Sequence, residues 1–87
     1  MSQMGADLEQ LALLRGSLME QAEVIERLAT SVRQQLADTR WHGPAAERFR
    51  GAWAGDFEPS LRRLQAALQE AGAEVGRRRE ALQQAGA

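Results

Sequence analysis

The chain has 87 residues, 11 basic and 12 acidic, for a formal net charge of −1. That balance excludes the basic stripe of a nucleic-acid binder and the polybasic anchor of a membrane-surface protein. With no cysteine and one histidine, disulfides, thiolate centres and the usual zinc ligand sets are excluded too. The length suits one domain. A chain this short buries a limited share of its surface, so association with another chain is its remaining source of support.

The longest apolar run, Leu11 to Leu14, is far below the ~20 residues of a membrane span. Met1-Ser2-Gln3-Met4-Gly5 has neither a basic region nor an apolar core, so it does not read as a cleavable secretory signal. These features on their own predict a cytoplasmic protein, unless a specialised exporter accepts it folded.

Residues 1–6 are expected to fray. Asp7 is the candidate N-cap of the first helix, with Ser2 as competitor. From Leu8 onward Leu11, Leu14, Leu18, Ala22, Ile25, Leu28, Ala29, Val32 and Leu36 follow in steps of one to four, most of them three or four, the face of an amphipathic helix over about 7–39. Leu11, Leu18, Ile25 and Val32 form a seven-residue seam. Glu23 and Arg27 suit an i,i+4 surface pair. The pattern stops at Thr39-Arg40. Gly43 and Pro44 then predict a tight connection over 40–44, with a new helix starting near Pro44. Gly43 fits a position of positive φ or close backbone approach.

The second run is Phe49, Trp53, Phe57, Leu61, Leu64, Leu68, Ala71, Val75 and Leu82, predicting a helix over about 45–84. Leu61, Leu68, Val75 and Leu82 are seven apart, and Leu64 and Ala71 take the complementary seam positions. Pro59 predicts a kink or break near residues 55–58. Gly72 and Gly76 each weaken a helix by roughly 1 kcal/mol relative to Ala, so the last turns are expected to need a partner. A short link makes the two helices antiparallel neighbours. Such a hairpin leaves much of both stripes wet, and pairing into a four-helix bundle dimer is the simplest remedy.

Trp41-His42-Gly43, central in the chain between two amphipathic helices, resembles the WXG family. This family comprises small proteins related to the early secretory antigenic target of mycobacteria. The run Trp41-His42-Gly43-Pro44-Ala45-Ala46-Glu47-Arg48-Phe49, with Trp53 following, and the segment Leu61 to Val75 carry the rest of the likeness, which covers nearly the whole chain. The resemblance implies an all-α antiparallel hairpin that pairs as a homo- or heterodimer. It implies export by a bacterial type VII (ESX) secretion system whose membrane ATPase recognises the pair. Several family members carry a C-terminal export signal of Tyr and an acid four residues on, set in space against the partner's Trp-x-Gly turn. Here Val75 stands at the Tyr position and Arg79 at the acidic one, Glu80 is one residue late, and the chain has no Tyr. The chain therefore reads as the partner that supplies the Trp-x-Gly half, with a different WXG-type protein favoured over a second copy as its mate.

Under this reading Trp41 and Gly43 are the recognition turn. Leu11, Leu18, Ile25, Val32, Phe49, Trp53, Phe57, Leu61, Leu64, Leu68 and Val75 are core or dimer interface. Physical chemistry alone favours a packing role for Trp41 at the end of the hairpin, a solvated His42, and a solvated Arg77-Arg78-Arg79 face with Glu74 paired to Arg78. Catalysis finds no support. Ser17, Ser31 and Ser60 lack a base and an orienting group, Glu23 and Glu26 lie on a solvated face, and Gly51 and Gly55 do not make a phosphate loop. No cofactor and no small-molecule substrate are expected. The rival expectation is a cytoplasmic adaptor that binds the helical N-terminal region of a larger secreted toxin.

Overall fold

A computed structural model describes residues 3–86. Helix α1 spans Gln3–Asp38, and α2 spans Pro44–Ala52. One π-helical turn, Trp53–Phe57, joins α2 to α3, Glu58–Gly86. The described residues contain no strand. The second arm runs unbroken through α2, the π turn and α3, antiparallel to α1. Asp7 lies inside α1 instead of capping it, because the helix begins one turn earlier at Gln3. Ser2 lies outside the described residues.

The hairpin is a rod of 64 × 17 × 14 Å. Its radius of gyration is 19.2 Å, against about 12 Å for a compact domain of this length. It exposes 6462 Å², roughly 1,400 Å² more than the ~5,100 Å² typical of a compact monomer of its mass.

Small residues line the contact between the arms. Ala22, Ala29 and Ala46 are almost fully buried, and Trp53 is the one large buried side chain among the described residues. On α1 the inward row is Leu8, Leu11, Leu18, Ala22, Ile25, Ala29, Val32 and Leu36, with exposed Arg15 in the gap between Leu11 and Leu18. On the second arm it begins Ala46, Arg50, Trp53 and continues Glu58, Leu61, Gln65, Leu68, Gly72, Val75, Arg79, Leu82. The step of five between Trp53 and Glu58 is the π turn, where the Glu58 N–H donates to the Trp53 carbonyl. Pro59 explains its place. In a regular helix the ring would crowd the carbonyl four residues back, and a π turn just ahead of it relieves that contact.

The extra residue corrects one expectation. Without it the inward row would continue through Phe57, Leu64 and Ala71. With it Gln65, Gly72 and Arg79 face α1, while Leu64 and Ala71 are exposed. Gly72 sits where α1 comes closest. A Cβ there would stand 2.8 Å from Met19 Sδ and 3.7 Å from Leu18 Cβ. Gly76 is approached by Arg15, whose Nε would lie 2.9 Å from an added Cβ.

The two flanks of this seam differ in chemistry. On one, Glu58 Oε2 lies 3.4 Å from Arg33 Nε and 3.6 Å from Arg62 Nη2, and Arg62 also pairs with Glu26. Each such partly exposed pair contributes at most about 1 kcal/mol, but together they tie the two arms in register. The other flank follows from helical geometry. Leu14 and Leu28 of α1 lie on the side of the seam away from Glu26 and Arg33. Phe57 and Leu64 lie on the side away from Arg62. All four are exposed, Leu28 and Leu64 at 49 % each.

Gly16 is helical and has open space where a Cβ would be. Gly16→Ala is therefore expected to raise the melting temperature by about 4–8 °C, the effect of roughly 1 kcal/mol in a domain of this size. Gly72→Leu should lower it by forcing the arms apart. Thermal melts followed by circular dichroism separate the two signs.

Candidate functional site: the Trp41 turn

The link between the arms is residues 39–43. Thr39 prolongs α1 by one residue, its N–H donating to the Gln35 carbonyl at 3.0 Å and its hydroxyl to the same oxygen at 2.5 Å. The Trp41 N–H then turns back to the Thr39 carbonyl at 3.0 Å. Gly43 has φ 113° and ψ 176°, a region open in practice only to glycine. It is the N-cap of α2, and its carbonyl accepts the Glu47 N–H at 3.0 Å. Pro44 occupies the first turn, where its missing N–H costs nothing. These two residues reverse the chain within five positions.

The reversal places the Trp41 indole over the start of the second arm. Its ring centroid is 6.2 Å from that of Phe49, which is 6.4 Å from Phe57. Both pairs are tilted, an arrangement favoured by aromatic quadrupoles. Residues eight apart would be rotated by roughly 80° in a regular α-helix. The π turn winds less per residue and so brings Phe57 into line with Phe49. All three rings are exposed, Trp41 at 39 %. Trp53 is buried to 8 % exposure, and its indole Nε1 has no hydrogen-bond partner.

Arg50 organises this end of the hairpin. Its Nη1 donates to the Trp41 carbonyl at 2.6 Å, and its Nη2 donates to the Leu36 carbonyl at 2.9 Å and the Thr39 carbonyl at 3.1 Å. The guanidinium carbon lies 5.9 Å from the centroid of the Trp41 ring, within cation–π range. Sequence periodicity hides this role, because Arg50 falls on the inward row between Ala46 and Trp53, where an apolar residue would be expected. Its spacing, four residues after Ala46 and three before Trp53, is the signal that could have found it.

The remaining candidate residues divide in the same way. Leu11, Leu18, Ile25 and Val32 face the second arm, half-buried, as do Leu61, Leu68 and Val75. Phe49, Phe57 and Leu64 lie exposed on the apolar flank. His42 is exposed beside Trp41. At the open end, Arg79 Nε donates to the Leu8 carbonyl at 3.1 Å. Glu74 pairs with Arg77, three residues on, at 2.6 Å and not with Arg78. That hydrogen bond, helped by the charge of Arg77, holds the Glu74 carboxyl below its usual range. Among the described residues no helix is long and apolar enough to cross a membrane.

No protein-family model matches the chain, and neither curated proteins nor solved structures give a match.

Trp53→Ala should cost about 3–5 kcal/mol, as large-to-small changes at buried aromatic positions do. Trp41→Ala should cost under about 1 kcal/mol, since the ring is largely a surface group. Urea denaturation of the two variants measures the contrast.

Proposed function

We propose that this chain is a non-enzymatic partner protein of a bacterial type VII secretion system. It pairs with a second WXG-type hairpin as a four-helix bundle and presents the Trp41 turn to the secretion ATPase. It is made in the cytoplasm and exported through that system. The observation that carries this reading is the closed end of the hairpin, where Gly43 at φ 113° reverses the chain and leaves Trp41 at the surface. Trp41, Phe49 and Phe57 adjoin there as one exposed aromatic patch, the kind of surface that marks a contact site.

The apolar flank supports the pairing. Leu14, Leu28, Leu64, Phe57 and Phe49 lie exposed along one side of the rod. The surplus surface of roughly 1,400 Å² is of the size that one partner contributes to an obligate interface. The charged flank of Glu26, Arg33, Glu58 and Arg62 disfavours an apolar partner on that side. A mate of different sequence is favoured because the tail positions of the family's export signal are engaged within this hairpin. Val75 is half-buried in the seam, and Arg79 is bonded to the Leu8 carbonyl. The mate then supplies the tail signal.

The same occupied tail favours a second reading, a cytoplasmic adaptor for the helical N-terminal region of a larger secreted toxin. The two differ in where the chain ends up.

Where the neighbouring gene encodes a small Trp-x-Gly protein, co-expression with it should yield a stable pair. Leu28→Glu combined with Leu64→Glu should abolish that pair, whereas Arg33→Glu should leave it formed. Trp41→Ala should leave the pair intact and lose ATPase binding and export. Unchanged export of a stable Trp41→Ala pair would remove the recognition role. Retention of the wild-type chain in the cell while a toxin is exported would favour the adaptor.

A further inference from the structure

We infer that Arg50 is the positioning residue of the Trp41 turn, its guanidinium fixing the direction in which the indole is displayed. The inference starts from the end of α1. That helix stops at Asp38, so the Leu36 carbonyl loses the N–H partner that a further turn would provide, and the Thr39 carbonyl keeps only the Trp41 N–H of the turn. Helix ends are commonly closed by a glycine just beyond them or by basic side chains of the last turn. This one has no basic residue in its last turn. A side chain from the other arm does the work instead, 14 residues on from Leu36.

Arg50 does more than close a helix. Its Nη2 takes the Leu36 and Thr39 carbonyls, and its Nη1 takes the carbonyl of Trp41 itself. The cation lies within reach of the Trp41 ring. Backbone and side chain of Trp41 are thus held by one planar group, which the half-buried position between Ala46 and Trp53 anchors in turn. The Phe49 contact supports the ring from one side only. Without Arg50 an exposed indole in a five-residue link would sample several rotamers, and a partner would have to order it on binding. Lysine cannot substitute. It offers a point charge on a flexible stem, where this site uses a flat fork with separated donors.

The test uses the two tryptophans of the chain, with buried Trp53 as internal reference for Trp41. Indole ¹⁵N relaxation is measured on the assembled protein as wild type, Arg50→Lys and Arg50→Gln. In the wild type the Trp41 indole should be nearly as ordered as that of Trp53. In both variants its order parameter should fall below about 0.6, the flexible range, while the Trp53 signal and the helicity hold. An unchanged Trp41 signal, its preservation in Arg50→Lys, or a parallel loss of order at Trp53 would each overturn the assignment. The last would mark a general loss of stability.

The consequence for recognition rests on the function proposed above and separates from this readout. Arg50→Gln should weaken ATPase binding about tenfold, the scale of ordering one side chain. It should cause no further loss in a Trp41→Ala background, because the two residues act as one unit. A mobile Trp41 with binding and export intact would leave the positioning role standing and overturn the secretion reading instead.

Discussion

Two helices can touch along one line only, and the rest of this structure depends on that constraint. Each arm carries more apolar side chains than one seam can bury. Close approach is achieved with Ala22, Ala29, Ala46 and Gly72, so the contact is tight but supplies little apolar area. The larger side chains flank the line instead of filling it. An 87-residue chain folded this way has no closed core, and hydrophobic burial is the dominant favourable term in folding. The uncovered flank is where the proposed partner would complete that burial.

The π turn decides which side chains remain for that partner. By adding one residue ahead of Pro59, it turns Leu64 and Ala71 outward and brings Gln65, Gly72 and Arg79 against α1. It also aligns Phe57 with Phe49 beneath Trp41, so that the apolar flank runs from the leucines of the arms into the aromatic ladder at the closed end. The exposed apolar flank and the turn are therefore one continuous feature. A partner that covers Leu28 and Leu64 meets Phe57, Phe49 and Trp41 along the same line.

The hairpin was legible in the sequence because its signals are strong and local: a seven-residue apolar period in both arms, and Gly43-Pro44 between them. Pro59 marked the place of an irregularity but not its kind. A kink, a break and a one-residue slip all relieve the same crowding, and only the slip exchanges Leu64 for Gln65 in the seam. For that reason Leu64 and Ala71, seam positions by periodicity, lie outside the contact between the arms. Arg50 was hidden for a different one. Its partners are three backbone carbonyls, which every sequence has, and their convergence exists only after the chain has reversed. The start of α1 ahead of Asp7 shows that an acceptable cap residue does not by itself set where a helix begins.

The most direct test of incompleteness is the helicity of the purified chain alone, followed by circular dichroism across a dilution series with its mass read by light scattering. A hairpin that depends on a covered flank should lose helicity as it is diluted to the monomer, and regain it when a partner hairpin is added. A monomer that keeps full helicity at the lowest concentration would contradict that dependence.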